Sequence, residues 1–321
     1  MEQISKTLDV MCLGIFVADA LAKPIKRIPD WRQLELVDQV ELHTGGCANN
    51  TGIGLARLEL KVGCMGKVGT DGFGDFVMKN LATEGTDTRG MKRDASIGTS
   101  FTFVMIAPDG ERAFFHFIGA NGALVIDDVD FGLISQSRIL HVAGTFILPG
   151  IDGEPTAQIL KQTRELGVLT CLDTVYNGEI DAFGTLKSAL PYMDYFLPSI
   201  DEAQLMTNQT NPHDVAAFLI DQGVGTVGLK MGAEGSYVMS TGFEKHIPAF
   251  QTDVVDTSGA GDSWVAGFLA GVIKGYDLEQ SARLGSAMGA NCCRAIGTTA
   301  GLKGWDETIG FMNSAKLLEL E

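Results

Sequence analysis

The apolar positions of this chain fall into short unbroken runs more often than into alternating stripes. Leu8–Val17 opens the series, Lys61–Val68 follows, and "SRILHVAG", "GVLTCLD", "MDYFLP" and "GTVGLKMG" recur further on. Each of the later runs comes after a polar or helix-patterned segment. Runs with little alternation suit strands buried on both faces. Their spacing by helical patterns, as over Cys47–Glu59 and Phe73–Glu84, predicts an α/β chain with a parallel sheet. The carboxyl-terminal part turns helical over Ala260–Lys274 and Asp277–Ala295, both rich in Ala, Gly and Leu.

Two segments break this rhythm. Within 99–118 two β-rich runs flank Pro108-Asp109-Gly110, a hairpin signal with a clear turn mechanism. Residues 18–43 carry "PIKRIP" and the alternating "LELVDQVEL", which also reads as strand and not as crossover helix. The expected organisation is a core of residues 1–17, 44–97 and 119–321, with inserts 18–43 and 98–118 pairing into one small sheet at its edge. No internal repeat or low-complexity linker interrupts it.

Composition narrows the partners. With 321 residues, 45% of them apolar and 20% charged, the chain can bury a large core. A formal charge of −16 argues against nucleic acid or an anionic membrane as the main partner. An anionic small ligand stays open, because a pocket carries its own local field. The start, "MEQISKTLDVMCLGIFVADAL", lacks the basic flank and cleavage site of a leader, and no apolar run reaches the roughly 18 residues of a membrane span. A cytoplasmic location is expected. The six cysteines form no C-x-x-C pair and are expected as reduced, buried thiols. Cys47, beside a glycine pair, reads as packing, with substrate contact as the alternative.

Candidate chemistry concentrates in two glycine stretches. "DTSGAGDSWVAGF" places Gly259-Ala260-Gly261 before Asp262 and a long helical run. A helix N-terminus offers unpaired N–H groups and the positive end of a dipole, and residues without bulky side chains let a phosphate approach the backbone. Asp262 is then either an ordinary helix-start residue or a general base beside an anion hole, kept ionised by the local field. "HTGGCANNTGIGLARL" repeats the theme, with Asn49 and Asn50 in the first turn of a helix as caps or as ligand contacts.

Taken together the two stretches resemble the signature motifs of the PfkB (ribokinase-like) carbohydrate kinase family. Gly45-Gly46-Cys47-Ala48-Asn49, running on to "GCMGKVGTDGFG", matches the first motif and "DTSGAGDSWVAGFL" the second. "GAN" at 119–121, "FLPSIDEA" at 196–203 and "GLKMGAEG" at 228–235 follow in family order, so the resemblance covers essentially the whole chain.

The resemblance implies a three-layer α/β/α core with a mostly parallel sheet, plus a small β-sheet lid. It implies ATP-dependent phosphorylation of a sugar hydroxymethyl group, with Asp262 as catalytic base and the amides of Gly259, Ala260 and Gly261 as anion hole. Asp19, Gly45, Gly46 and Asn49 would face the sugar, and the segment around Asn121 would close the pocket or form a turn. Lys230, where the family more often has a small polar residue, would touch a phosphate or end a strand in solvent. Gly232 and Gly235 would let the nucleotide approach, and Asn291 would border the adenine. Glu202 would act on Mg²⁺ through water, with Ser199 replacing the family's asparagine; the pair also reads as a helix capping box. Asp256 and the loop near Gly297 would hold a monovalent cation such as K⁺, and the lid would join two copies in a homodimer.

A nucleoside kinase on the same fold is the nearest rival, and a non-catalytic sugar-binding regulator the rival of a different class. Other signals fail on context. "GVGTVG" at 223–228 precedes a strand, whereas a dinucleotide loop follows one. There is no P-loop and no nucleophile elbow, and the five histidines lack H-E-x-x-H spacing.

Overall fold

The structure, a computed structural model, describes residues 6–319. Met1–Ser5 and the last two residues, which the expected core ranges and the reading of the amino terminus include, lie outside it. Among the described residues thirteen strands form two sheets. In chain order they are β1 (Leu8–Gly14), β2 (Val17–Lys23), β3 (Gln39–Gly45), β4 (Val62–Gly69), β5 (Asp87–Asp94), β6 (Phe101–Ile106) and β7 (Arg112–Phe117). There follow β8 (Ser137–Thr145), β9 (Leu169–Thr174), β10 (Tyr195–Phe196), β11 (Thr226–Lys230), β12 (Ser236–Ser240) and β13 (Phe243–Ile247). The large sheet runs β13-β12-β11-β10-β9-β8-β1-β4-β5, all parallel except β12, which runs against its neighbours β11 and β13. The small sheet runs β3-β2-β6-β7.

The unbroken apolar runs become the central strands because helices cover both faces of the large sheet. On one face Leu13, Leu140 and Leu172 pack against Leu160, Ala203 and Val215. On the other, Val10, Cys64 and Ile139 pack under α1 (Cys47–Arg57) and the helices Ala260–Lys274 and Leu278–Cys292. All six cysteines are free, five of them buried and Cys47 partly so. Among the described residues no helix is long and apolar enough to cross a membrane.

Several expected boundaries shift. The run Leu8–Val17 is not one strand: Gly14, at φ +149°, ends β1, and Val17 already belongs to the small sheet. Residue 17 and residues 44–45 therefore lie on the lid side of the expected borders. The 99–118 hairpin forms as expected around its Pro-Asp-Gly turn. In the other insert, "LELVDQVEL" is strand only from Gln39, and Leu34 and Leu36 are exposed. Pro24 and Pro29 remove backbone donors there, so the alternation finds no ladder to join.

The chain passes between the sheets four times, near residues 15, 46, 99 and 118, and these crossings are tied together. Asn121 accepts the Phe16 N–H at Oδ1 (3.2 Å) and donates from Nδ2 to the Phe16 carbonyl (3.1 Å). Ser100 donates to the Ile118 carbonyl and accepts from the Asn121 N–H, while the Ala18 N–H reaches the Ser100 carbonyl. Gly46, at φ +96°, lies so near Ile15 that a Cβ would sit 2.5 Å from its carbonyl oxygen.

Candidate active site

The glycine loop "TSGAG" feeds directly into the helix Ala260–Lys274. Gly259 caps it in the left-handed region, φ +77°, and a Cβ there would fall 2.4 Å from the Thr298 carbonyl oxygen. No side chain caps this start, and the Ala260 N–H is spent on the Thr257 carbonyl at 3.1 Å, so it is the Gly261 and Asp262 amides that stand at the opening. Asp262 Oδ2 accepts from Asn50 Nδ2 at 2.8 Å, and Asn50 Oδ1 accepts from Thr298 Oγ1 at 2.9 Å. Asn50 therefore orients the carboxylate and does not cap α1, whose start at Gly46 has no side-chain cap. Asn49 is fully buried, and its Oδ1 has no partner among the described residues. Burial raises the Asp262 carboxyl above its usual range, against the bonds from Asn50 and the charge of Lys230. Desolvation is the larger of these effects and opposes the field of the helix start.

Beneath the loop lies a buried charge cluster. Lys230, at the end of β11, is not solvated: its Nζ sits 2.6 Å from Asp173 Oδ2 at the end of β9. A Cβ on Gly261 would lie 3.6 Å from the same Nζ, so the ammonium also borders the anion loop. Burial alone would lower Lys230, but the carboxylates of Asp173, Glu202 and Asp262 outweigh it and raise the ammonium's pKa. Burial pushes Asp173 up to about 7 despite Lys230. Sequence reasoning missed Asp173; the available signal was one acid closing the apolar run "LTCLD" on the carboxyl side of a parallel strand, where such sheets bind ligands. Ser199 and Glu202 do form a capping box: Glu202 Oε2 accepts the Ser199 N–H at 2.8 Å and the Thr174 hydroxyl at 2.9 Å.

These groups line one wall of a cleft of about 820 Å³, which also takes in Gly232, Gly235, Gly259 and Cys47. Gly232 (φ +59°) faces open space, whereas Gly235 (φ +90°) is pressed against the Ile247 carbonyl and shapes the turn. The far wall is largely apolar and includes Val254, Ala290 and Cys293. Asn291 is not in that wall: it is buried one residue round the helix, which presents Ser286, Gly289 and Ala290 to the cleft instead.

A second pocket, about 200 Å³, lies under the lid and includes Asp19, His43, Thr102, Arg112, Asp256 and Thr298. The missing side chain of Gly45 makes room for Asp19, since a Cβ would fall 1.9 Å from Oδ2. Burial raises Asp19 to about 6, with Thr102 and His43 pulling the other way. Asn121 does not line this pocket; its amide is spent on Phe16. Both oxygens of Asp256 are occupied by protein. Oδ1 meets Arg112 at 2.7 Å and the Ser258 N–H at 2.8 Å, and Oδ2 accepts the Gly297 N–H at 2.8 Å. Arg112 also reaches Ser258 Oγ at 2.5 Å. This arginine was missed too, although it is the one base opening the apolar lid strand "RAFFHF".

A nine-stranded, mostly parallel sheet with an anion loop on one side of its carboxyl edge and a four-stranded lid define the ribokinase-like α/β class. The comparisons agree. The pfkB carbohydrate kinase family matches residues 7–304, and the chain belongs to that family. It is similar to the 2-dehydro-3-deoxygluconokinase of Bacillus subtilis, 26% identical over 283 residues, covering 84% of this chain and 87% of that one. It also resembles the ATP-dependent 6-phosphofructokinase of Thermoanaerobacterium thermosaccharolyticum, 26% identical over 318 residues and covering 98% and 96% of the two chains. Among solved structures, the Arabidopsis thaliana ribokinase complexed with ribose and ATP superposes with a TM-score of 0.83 at 21% identity, over 95% of this chain and 98% of that one.

Proposed function

We propose that this protein transfers the γ-phosphoryl group of ATP to a hydroxymethyl group of a sugar. The observation that carries this reading is the position of Asp262. It lines the large cleft, stands on a helix start with no side-chain cap, and connects through Asn50 to Thr298 in the lid pocket. A base at the boundary between a nucleotide-sized cleft and a sugar-sized pocket has both reactants within its reach.

In this reading Asp19 holds a sugar hydroxyl, while Gly45, Gly46 and the fully buried Asn49, none of which lines either pocket, shape the floor. The unpartnered Asn49 Oδ1 would meet a hydroxyl only if the lid shifts on binding. Asp262 takes the proton of the attacking hydroxyl as its oxygen bonds to the γ-phosphorus. The bond from that phosphorus to the bridging oxygen breaks, and ADP departs. The Gly259 and Gly261 amides and Lys230 offset charge on the phosphoryl oxygens, and the Ala260 amide joins them only on leaving the Thr257 carbonyl. The cleft fits the triphosphate through the open approach at Gly232 and the base through the apolar wall near Ala290.

Magnesium fits as a companion of the phosphates. Among the described residues no three metal-binding side chains converge, and Mg²⁺ is usually held by one or two carboxylates, waters and substrate phosphates. Glu202 and Asp173 are the carboxylates placed for it, and the ion would neutralise phosphate charge. A monovalent cation near Asp256 would draw on the carbonyls of the 297 loop, because the carboxylate is already paired with Arg112. Exposed Val40, Leu42, Phe115 and Phe117 on the lid support a homodimer through that sheet, and a cytoplasmic setting accords with free thiols.

A coupled ADP-release screen over pentoses, hexoses, keto-deoxy acids and nucleosides tests the proposal. Turnover with a sugar, lost in Asp262→Asn, is the expected result. Turnover only with nucleosides would select the rival kinase reading. Sugar binding without any ADP release in the wild type would select the regulator.

A further inference from the structure

We infer that the lid pocket takes an uncharged sugar and rejects sugar acids and phosphorylated sugars, because every cation facing it is already matched to a carboxylate. This deepens the kinase reading and rests on it for the place of the acceptor. A carboxylate or phosphate is normally held by a free guanidinium or ammonium, two-pronged where arginine supplies it.

Four bases lie on the inner face of the lid. His116, bonded to the Thr102 hydroxyl at 3.1 Å, has its pKa lowered by burial and adds no charge at neutral pH, and the other three are each paired with a carboxylate. Arg112 NH1 lies 2.7 Å from Asp256 Oδ1 and bonds to Ser258. His43 Nε2 lies 2.7 Å from Glu41 Oε2, and Lys23 Nζ 3.7 Å from Glu41 Oε1. Against these three stand three acids, Asp19, Glu41 and Asp256, so the face carries no net positive charge even with His43 counted as a cation.

Recruiting Arg112 to a substrate anion would strand Asp256, which is 3% exposed, with two amide bonds and no counter-ion. Removing one partner of a buried pair is strongly unfavourable, so the arrangement acts against anionic acceptors as well as for neutral ones. The remaining surface is apolar at Leu21, Val104 and Phe114, and about 200 Å³ leaves room for a single sugar ring.

Binding and turnover together test this. Dissociation constants from calorimetry are compared for a panel of neutral pentoses and hexoses, for 2-dehydro-3-deoxy-D-gluconate and for D-fructose 6-phosphate, with ADP release followed in parallel. The expected result is a neutral sugar preferred over either anion by at least ~100-fold. In Asp256→Asn, where Arg112 loses its partner, the preference is expected to narrow by at least ~10-fold. Thermal melting reports whether that variant is folded, and the wild-type ranking decides by itself. An anion bound as tightly as the best neutral sugar, or no neutral sugar bound at all, overturns the inference. Neutral sugars that bind without releasing ADP uphold it and count against the kinase reading instead.

Discussion

Asn50 holds Asp262 by a single amide hydrogen bond, Nδ2 to Oδ2, across 2.8 Å and 212 residues of chain. The bond joins the first turn of α1 to the first turn of the helix opened by Gly259. It favours the ionised carboxylate while burial favours the protonated one, and burial is the stronger. Asn50 is therefore a positioning residue that also tempers the base.

Asp262→Asn is expected to lower kcat by about 100- to 10,000-fold with sugar affinity retained, the usual worth of a general base. Asn50→Ala should cost less, about tenfold at neutral pH, and should move the acidic limb of the kcat/KM profile to higher pH. The sign follows from the raised carboxyl: activity needs the ionised form and is lost as pH falls through its pKa, which rises further without the amide. A pH–rate profile of both variants checks this; an unmoved limb in Asn50→Ala would contradict it.

Asp19 should set a trade-off between stability and sugar binding. Its folded pKa of about 6 exceeds the unfolded value, so the protonated form is favoured in the folded state. That contribution is present below about pH 4 and lost as pH rises through 6. Asp19→Asn is thus expected to stabilise the protein at pH 8 by on the order of 1 kcal/mol, and to weaken sugar binding. Chemical denaturation at pH 8 and pH 4, beside a KM measurement, gives both readings.

The Lys230–Asp173 pair predicts non-additive stability. Asp173→Ala leaves a buried ammonium and is expected to cost about 3 kcal/mol, whereas Lys230→Met/Asp173→Leu should recover most of that loss. The double variant should still lack activity if Lys230, as proposed, contacts a phosphate. Urea titrations with ADP-release assays separate the two outcomes.

Gly259→Ala meets both a left-handed backbone and the Thr298 carbonyl. Backbone strain of this kind costs about 1–3 kcal/mol, so melting should drop by several degrees. The displaced amides should also reduce kcat far more than they raise KM for the sugar.

Native thiols should be slow to react. Burial pushes all six cysteines up, Cys64 and Cys292 to about 12, and no thiolate is available at neutral pH. Titration with a chromogenic disulfide should show six reactive groups only after unfolding.

What was legible in the sequence follows from what is local. Central strands announce themselves as unbroken apolar runs, and the glycine start of the helix Ala260–Lys274 as small residues before an acid, because both demands fall on adjacent residues. Pairs brought together by the sheet were not legible: nothing local couples Asp173 to Lys230, 57 positions apart, or Arg112 to Asp256 across the lid. Asn291 shows the limit in another form. On an all-buried helix, periodicity does not say which small residues face a ligand, and one residue of rotation moved the wall to Ala290. Asn121 lay in a recognisable motif, yet its amide serves the Phe16 backbone, a use that composition cannot distinguish from ligand contact.

The clasp between Asn121 and Phe16, with Ser100 and Gly46 beside it, gathers every entry to and exit from the small sheet at one spot. The four lid strands accordingly form an exchangeable cassette, joined to the core at that seam and braced on it by Arg112 against Asp256. A lid grafted from another kinase would need to reproduce the seam and supply a partner for Asp256, so acceptor preference can diverge in evolution or in engineering without rebuilding the rest of the floor.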